Sequence, residues 1–351
     1  MRFDPGGMLE RLRPWIPPEL VTPEALARVS SVARLLSPAS CCGMECRLGE
    51  GSTRVDFMAC ATVEDGSREL LAAHGASLVR SAPAWSRVAE LSTSWATPGS
   101  PLHERVPVLW LEFDLETRAG SAEPLVPLPF ICVQPRFLKE PPTFPAPSGS
   151  PARQETLQLA REALRLLLGQ SLPSGFGHTL ATCAGQLPET GHLLHVAPLV
   201  SRSQDALRLV LTLPGEALPD YLGRVGWPGA PARVRELVTA LATFSSHPLV
   251  HLDVADAVLP TLGLGFFHPA GDARWRLLLE ALVSLGACTP GKRDALLRWP
   301  GETELLLPGH RWPSRMRRTL EVKVIHRPGE PLEAKAYLLV DCQLSLVPPR
   351  A

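Results

Sequence analysis

The chain has 351 residues, 45% hydrophobic and 20% charged, enough to bury a core as one large domain or two ordinary ones. Lys plus Arg and Asp plus Glu each number 35, so the formal net charge is zero. A neutral chain lacks the broad phosphate-neutralising surface of a nucleic-acid binder, so no nucleic-acid partner is expected and any anion must be met by a local cluster. No run of about 18 apolar residues is present to span a bilayer, so no membrane partner is expected. Residues 1–7 lack a charged segment followed by an apolar one, so no signal peptide is expected. Eight scattered cysteines fit a reducing, cytoplasmic setting. Cys41, Cys42 and Cys46 have no matching CxxC or HxxxH, which favours structural roles over zinc.

Residues 1–40 read as an N-terminal helical segment, with Ala25, Val29, Val32 and Leu36 at helical spacing after a Thr22-Pro23 start and Pro38 as a stop. Strands are expected at Met44–Leu48 and Arg54–Val63, then helices at Ser67–Ser81 and Ala84–Ser94. Val106–Glu116 and Leu128–Gln134 form the next strand pair. Residues 135–152, rich in Pro and Ser, read as a loop or linker. Arg153–Gly169 is an amphipathic helix with Gly169 as its stop, and the Gly- and Ser-containing stretch Ser171–His178 follows it. Leu193–Val200 and Leu207–Leu213 pair next, followed by helices Leu218–Val225 and Pro231–Thr243. Leu249–Val254 and Gly263–His268 pair after that, before helices Arg274–Leu285 and Pro290–Arg298 and a short strand at Glu304–Leu307. Trp227-Pro228-Gly229 and Trp299-Pro300-Gly301 echo one another at helix ends.

The chain closes on a hairpin, Thr319–Asp341, with Arg-Pro-Gly as its turn. Leu320, Val322, Val324 and His326 alternate with Glu321, Lys323 and Ile325; Ala334, Ala336, Leu338 and Val340 alternate with Lys335, Tyr337, Leu339 and Asp341. Alone, the face carrying Lys323, Lys335 and Tyr337 reads as the solvated side of an edge hairpin. Strand pairs followed by helices recur about five times, however, and nearly every strand has one aliphatic face and one mixed face. The mixed faces carry Met58, Trp110, Phe130, Cys132 and Tyr337 beside their charges, which is not ordinary surface. The expected fold is therefore α+β, a single domain over 1–351: a closed barrel of about ten antiparallel strands, helices covering its aliphatic outside, its mixed faces lining a lumen. An open sheet with helices on one side is the alternative.

This organisation resembles the ABBA aromatic prenyltransferases, the PT-barrel fold, over roughly residues 40–346. The local echoes are Val322-Lys323-Val324 and Ala334-Lys335-Ala336-Tyr337, similar to the Lys-x-Tyr strands with which indole prenyltransferases hold a diphosphate. The resemblance implies transfer of an allylic prenyl group from a prenyl diphosphate to an aromatic or peptide acceptor inside the lumen, with no cofactor required. Arg54, Arg208, Lys323 and Lys335 are the candidates for the diphosphate, with Arg136 and Arg202 near strand ends, since a leaving diphosphate needs several cations at one depth. Glu112 is the candidate proton acceptor, and Trp110 and Tyr337 the candidates to shield a cation with their faces. Asp56, Asp114, Gln134, His251 and Asp253 are further lumen candidates.

Two features depart from that family. With only Tyr221 and Tyr337 in the chain, the family's tyrosine shield cannot be present. The inferred lumen also holds Asp56, Asp114, Asp253, Glu321 and Asp341, which offset the cations. Clustered carboxylates could instead bind Mg²⁺ or a cationic substrate such as an Arg- or Lys-bearing peptide. A barrel that binds or modifies a peptide or natural product without any diphosphate, or a non-catalytic scaffold with a plugged lumen, are the competing readings. No P-loop, GxGxxG, HExxH or GxSxG occurs.

Overall fold

The computed structural model describes residues 1–80, 82–115, 125–134, 153–199, 205–307 and 311–344. The stretch 135–152, Arg136 and Arg202 lie outside the described residues. Two helices, α1 (Pro5–Leu12) and α2 (Pro23–Ala33), precede the first strand pair, β1 (Cys41–Arg47) and β2 (Val55–Thr62). Helices α3 (Ser67–Leu78), α4 (Ser86–Ala96) and α5 (Pro101–Arg105) lead to β3 (Val108–Phe113) and β4 (Leu128–Cys132). Then α6 (Arg153–Leu168) and α7 (Ser174–Gly185) precede β5 (His192–Pro198) and β6 (Leu207–Thr212). The next unit is α8 (Leu218–Arg224) and α9 (Pro231–Leu241) with β7 (Leu249–Val254) and β8 (Val258–Phe267). The last is α10 (Arg274–Ser284) and α11 (Pro290–Arg298) with β9 (Gly301–Leu305), β10 (Ser314–His326) and β11 (Glu333–Leu344).

Neighbouring strands pair antiparallel in chain order from β1 to β8; β8 pairs with β10, β10 with β11, and β11 returns to β1. Ten strands thus close into a barrel, and β9 adds to the protruding first residues of β10, with Ser314 opposite Leu305. Closure leaves no free edge among the ten. The aliphatic faces point outward. Cys42, Met44, Val55, Phe57, Leu109, Leu111, Leu209, Leu211, Val250, Leu252, Leu264, Val322, Val324, Ala336 and Leu338 are buried in one core with Leu91, Leu164, Leu222 and Leu278 of the helices. The helical ring covers what would otherwise be a large exposed apolar surface.

Local signals set the helix ends. Pro occupies the first turn of α1, α2, α5, α9 and α11, where no N–H is needed. Thr22 and Thr289 accept from the N–H groups of Ala25 and Lys292 at 3.2 and 3.3 Å. Gly169 ends α6 at φ 69°, a left-handed conformation that glycine adopts without strain. The stretch Ser171–His178 is in part helical, because α7 starts at Ser174. Gly175 and Gly177 dilute its helical pattern; a Cβ on Gly175 would lie 1.9 Å from Oδ1 of the exposed Asp256, whose side chain would have to turn away. No described helix is long and apolar enough to cross a membrane.

Candidate active site

Period-two alternation sends the non-aliphatic faces of ten strands into one lumen. A cavity of about 920 Å³ opens at the barrel end where β1 turns into β2 and β10 into β11. Arg47, Arg54, Arg208, Lys323 and Lys335 all line it, as do Asp114, His251 and Asp253. The four cations expected to meet a diphosphate therefore come to one space from three strand pairs, Arg54 next to β2, Arg208 on β6, and Lys323 and Lys335 facing one another on β10 and β11.

These cations sit among carboxylates. Arg208 makes a fork with Asp253, opposite it on β7, through Nε–Oδ1 at 2.7 Å and Nη2–Oδ2 at 2.8 Å. Lys335 Nζ reaches Glu45 Oε1 at 2.9 Å, and Arg47 contacts the same oxygen. Arg47 also lies 3.3 Å from Asp56, and Arg54 bridges Asp56 at 3.0 Å and Asp114 at 3.5 Å. Asp56 accepts the Leu115 N–H at 3.0 Å with its other oxygen. Burial pushes the Glu45 carboxyl up, but Lys335, Arg47 and Lys323 outweigh it and hold the group well below the usual range. Lys335 shares that one acid with two other cations, so burial wins there and brings its ammonium down to about 7 against the opposing pull of Glu45. Burial, with Glu45 beside it, raises Asp56 against Arg54 and Arg47.

Deeper in the same wall, Lys323 Nζ lies 5.1 Å from the centre of the Tyr337 ring. Burial lowers its pKa, and Arg208 adds to that, while Glu45 and Glu112 oppose it. Glu321 faces Tyr337 across β10 and β11, and burial raises its carboxyl to about 7, with Glu112 and Glu45 adding to the effect and Lys323 opposing it. Lys323 and His251 have room because the lumen face of β8 carries glycines. A Cβ on Gly263 would stand 3.1 Å from His251 Cβ and 3.2 Å from Lys323 Cδ. One on Gly265 would stand 3.2 Å from Glu321 Oε1 and 3.5 Å from His251 Nε2.

The opposite wall is apolar. Leu128, Phe130, Ala197, Leu199, Ala206 and Val210 of β4 to β6 and their ends form one cluster, against which Trp110 and Leu249 pack. Trp110 also packs on Met58, Tyr337 and Leu339, so its indole joins the apolar wall to the charged one. The lumen has the two-sidedness that a ligand with an ionic head and an apolar body would need.

Among the expected residues, Asp56 lies under the mouth between Arg47 and Arg54, and Glu112, half-buried, faces the lumen between Met58 and Leu128. Gln134 stands apart: it follows β4 at the far end, 3.3 Å from His192. Tyr221 lies outside the barrel on α8, its hydroxyl donating to the Cys183 carbonyl at 3.0 Å. Asp341 is held by Arg317 at 3.0 and 2.9 Å near that same far end. Glu45 and Arg47 were not singled out from the sequence, although their alternation with Met44, Cys46 and Leu48 carried the signal. Among the described residues no three His, Cys, Asp or Glu side chains are gathered to hold a metal ion.

No family model and no curated protein matches the sequence. Solved structures do match the fold. The prenyltransferase PriB in its apo form superposes with a TM-score of 0.56 at 14% identity, covering 95% of this chain and 94% of that one. A 6-dimethylallyl tryptophan synthase gives a TM-score of 0.52 at 14% identity, with 95% and 94% covered. The chain has the closed-barrel fold of the ABBA-type prenyltransferases, as the order of its strand and helix pairs implied.

Proposed function

We propose that the protein transfers an allylic prenyl group from a prenyl diphosphate to an aromatic or peptide acceptor within the lumen. The observation that carries this reading is the convergence of Arg47, Arg54, Arg208, Lys323 and Lys335 on one cavity of a closed barrel. On this reading the allylic C–O bond breaks and its electron pair leaves with the diphosphate, whose growing charge the basic side chains neutralise. The allyl cation is held against Trp110 and the Tyr337 ring. The acceptor's π electrons form the new C–C bond, and the proton released passes to Glu112. The five cations supply the charge compensation, so no cofactor is required. Thermal unfolding with dimethylallyl and geranyl diphosphate tests the reading. A ligand at about 100 times its Kd stabilises the native state by about 2.7 kcal/mol. No shift with either diphosphate would sink it.

A second reading has its own support. Arg47, Arg54, Arg208 and Lys335 each already face a carboxylate at 3.5 Å or less. A ligand carrying its own cation, such as an Arg- or Lys-bearing peptide, could exchange into those pairs without any diphosphate. Stabilisation by such peptides but by neither diphosphate would favour it.

A further inference from the structure

His251 sits on the lumen face of β7 and lines the cavity. Among the described residues neither of its ring nitrogens, both fully enclosed, has a hydrogen-bond partner. An imidazole with two unsatisfied nitrogens is costly to bury. Burial, with Lys323 and Arg208 adding to it, holds the ring neutral, so it can donate from one nitrogen and accept at the other. Thr212, diagonal to His251 on the adjacent β6, also has a buried hydroxyl without a partner among the described residues. Across from His251 on β8, Gly263 and Gly265 leave the room that its own ring fills: a Cβ on Gly263 would stand 3.5 Å from His251 Cγ and one on Gly265 3.5 Å from its Nε2. Behind it, Val210 belongs to the apolar wall. A polar edge and an apolar wall meet at this point.

We propose that His251 is the contact that selects the acceptor: it hydrogen-bonds an N–H or O–H on an aromatic ring seated in the lumen against the apolar wall. This inference rests on the lumen being the ligand site, and it deepens the proposed function by naming the acceptor feature that is read. The requirement is for a ring-bound hydrogen-bond donor, so an indole or a phenol fits and its hydrocarbon isostere does not. Such a contact discriminates by leaving the imidazole unpaired when the isostere binds, an effect of about five- to tenfold for one neutral hydrogen bond.

Dissociation constants of indole and indene, and of 1-naphthol and 1-methylnaphthalene, are measured on the full chain by ligand-observed NMR. The wild type is expected to prefer the donor-bearing member of each pair by about five- to tenfold. His251→Phe keeps the ring shape and is expected to abolish the preference. His251→Gln keeps a hydrogen-bonding group and is expected to retain part of it, which separates a lost contact from a misfolded barrel. A preference that survives in His251→Phe overturns the proposal. So does a wild type that binds both members equally, as it would if only water meets the imidazole, or that binds neither. Binding of inorganic pyrophosphate is followed separately. Its absence would count against prenyl transfer while leaving the aromatic discrimination readable.

Discussion

Replacing Glu321 by Gln tests whether the lumen imposes on its charges what the geometry implies. Glu321 sits between β8 and β11, with Lys323 as a nearby cation and Glu112 and Glu45 as like charges. Burial, reinforced by those two acids, raises its carboxyl to about 7, against about 4.3 for an unfolded chain. A folded pKa above the unfolded one means that the native state binds more protons between those values. The protonated carboxyl's stabilising contribution is therefore complete below about pH 4.3 and is lost as pH rises through about 7. At about 1.36 kcal/mol per unit, that shift is worth at most about 4 kcal/mol. Glu321→Gln is neutral at every pH, so it should match the wild type near pH 4.5 and exceed it by up to about 4 kcal/mol at pH 8.5. Urea unfolding of both proteins from pH 4.5 to 8.5 reads the difference directly. A difference that stays flat across the range, or a variant less stable than the wild type at pH 8.5, would refute the placement of a buried, crowded carboxyl here.

Two further outcomes follow from named contacts. Asp253→Asn removes the partner of the Arg208 fork, whose side chains are 11% and 13% exposed. It should cost about 2–4 kcal/mol in urea unfolding while tightening inorganic pyrophosphate binding by calorimetry, because a negative charge beside Arg208 is lost; a change in neither would contradict the pair. Lys292 of α11 donates to the carbonyls of Arg47, Gly49 and Ser52 at 2.9, 2.9 and 2.7 Å, fixing the β1–β2 turn that presents Arg47 and Arg54. Lys292→Met should destabilise the protein by about 2–3 kcal/mol and speed hydrogen exchange in residues 48–54; unchanged exchange there would show that the turn holds itself.

Much of the barrel was legible before any coordinates. Alternation assigned Lys323, Lys335 and Tyr337 to one face and Val322, Val324 and Ala336 to the other, and the core follows that division. It also placed Arg54, Asp114, Arg208, His251 and Asp253 on faces that do line the cavity. The helices α5 and α7 were missed; α7 opens on a stretch diluted by Gly175 and Gly177, and its first turn lies beside Asp256, 81 positions on from Gly175. Gln134 has the inward parity of its strand but stands at the wrong height, because parity carries no information about depth.

The sequence by itself determined the faces, the helix ends and the order of strand and helix pairs, since period two, proline, glycine and capping hydroxyls act over a few residues. Only the tertiary structure decided which carboxylate meets which cation, that Glu45 serves two of them, and that His251 has no partner among the described residues. Those outcomes depend on closure. Bringing β11 beside β1 places Tyr337 and Lys335 against Glu45 and Arg47, nearly the whole chain apart, and no local pattern specifies such a meeting.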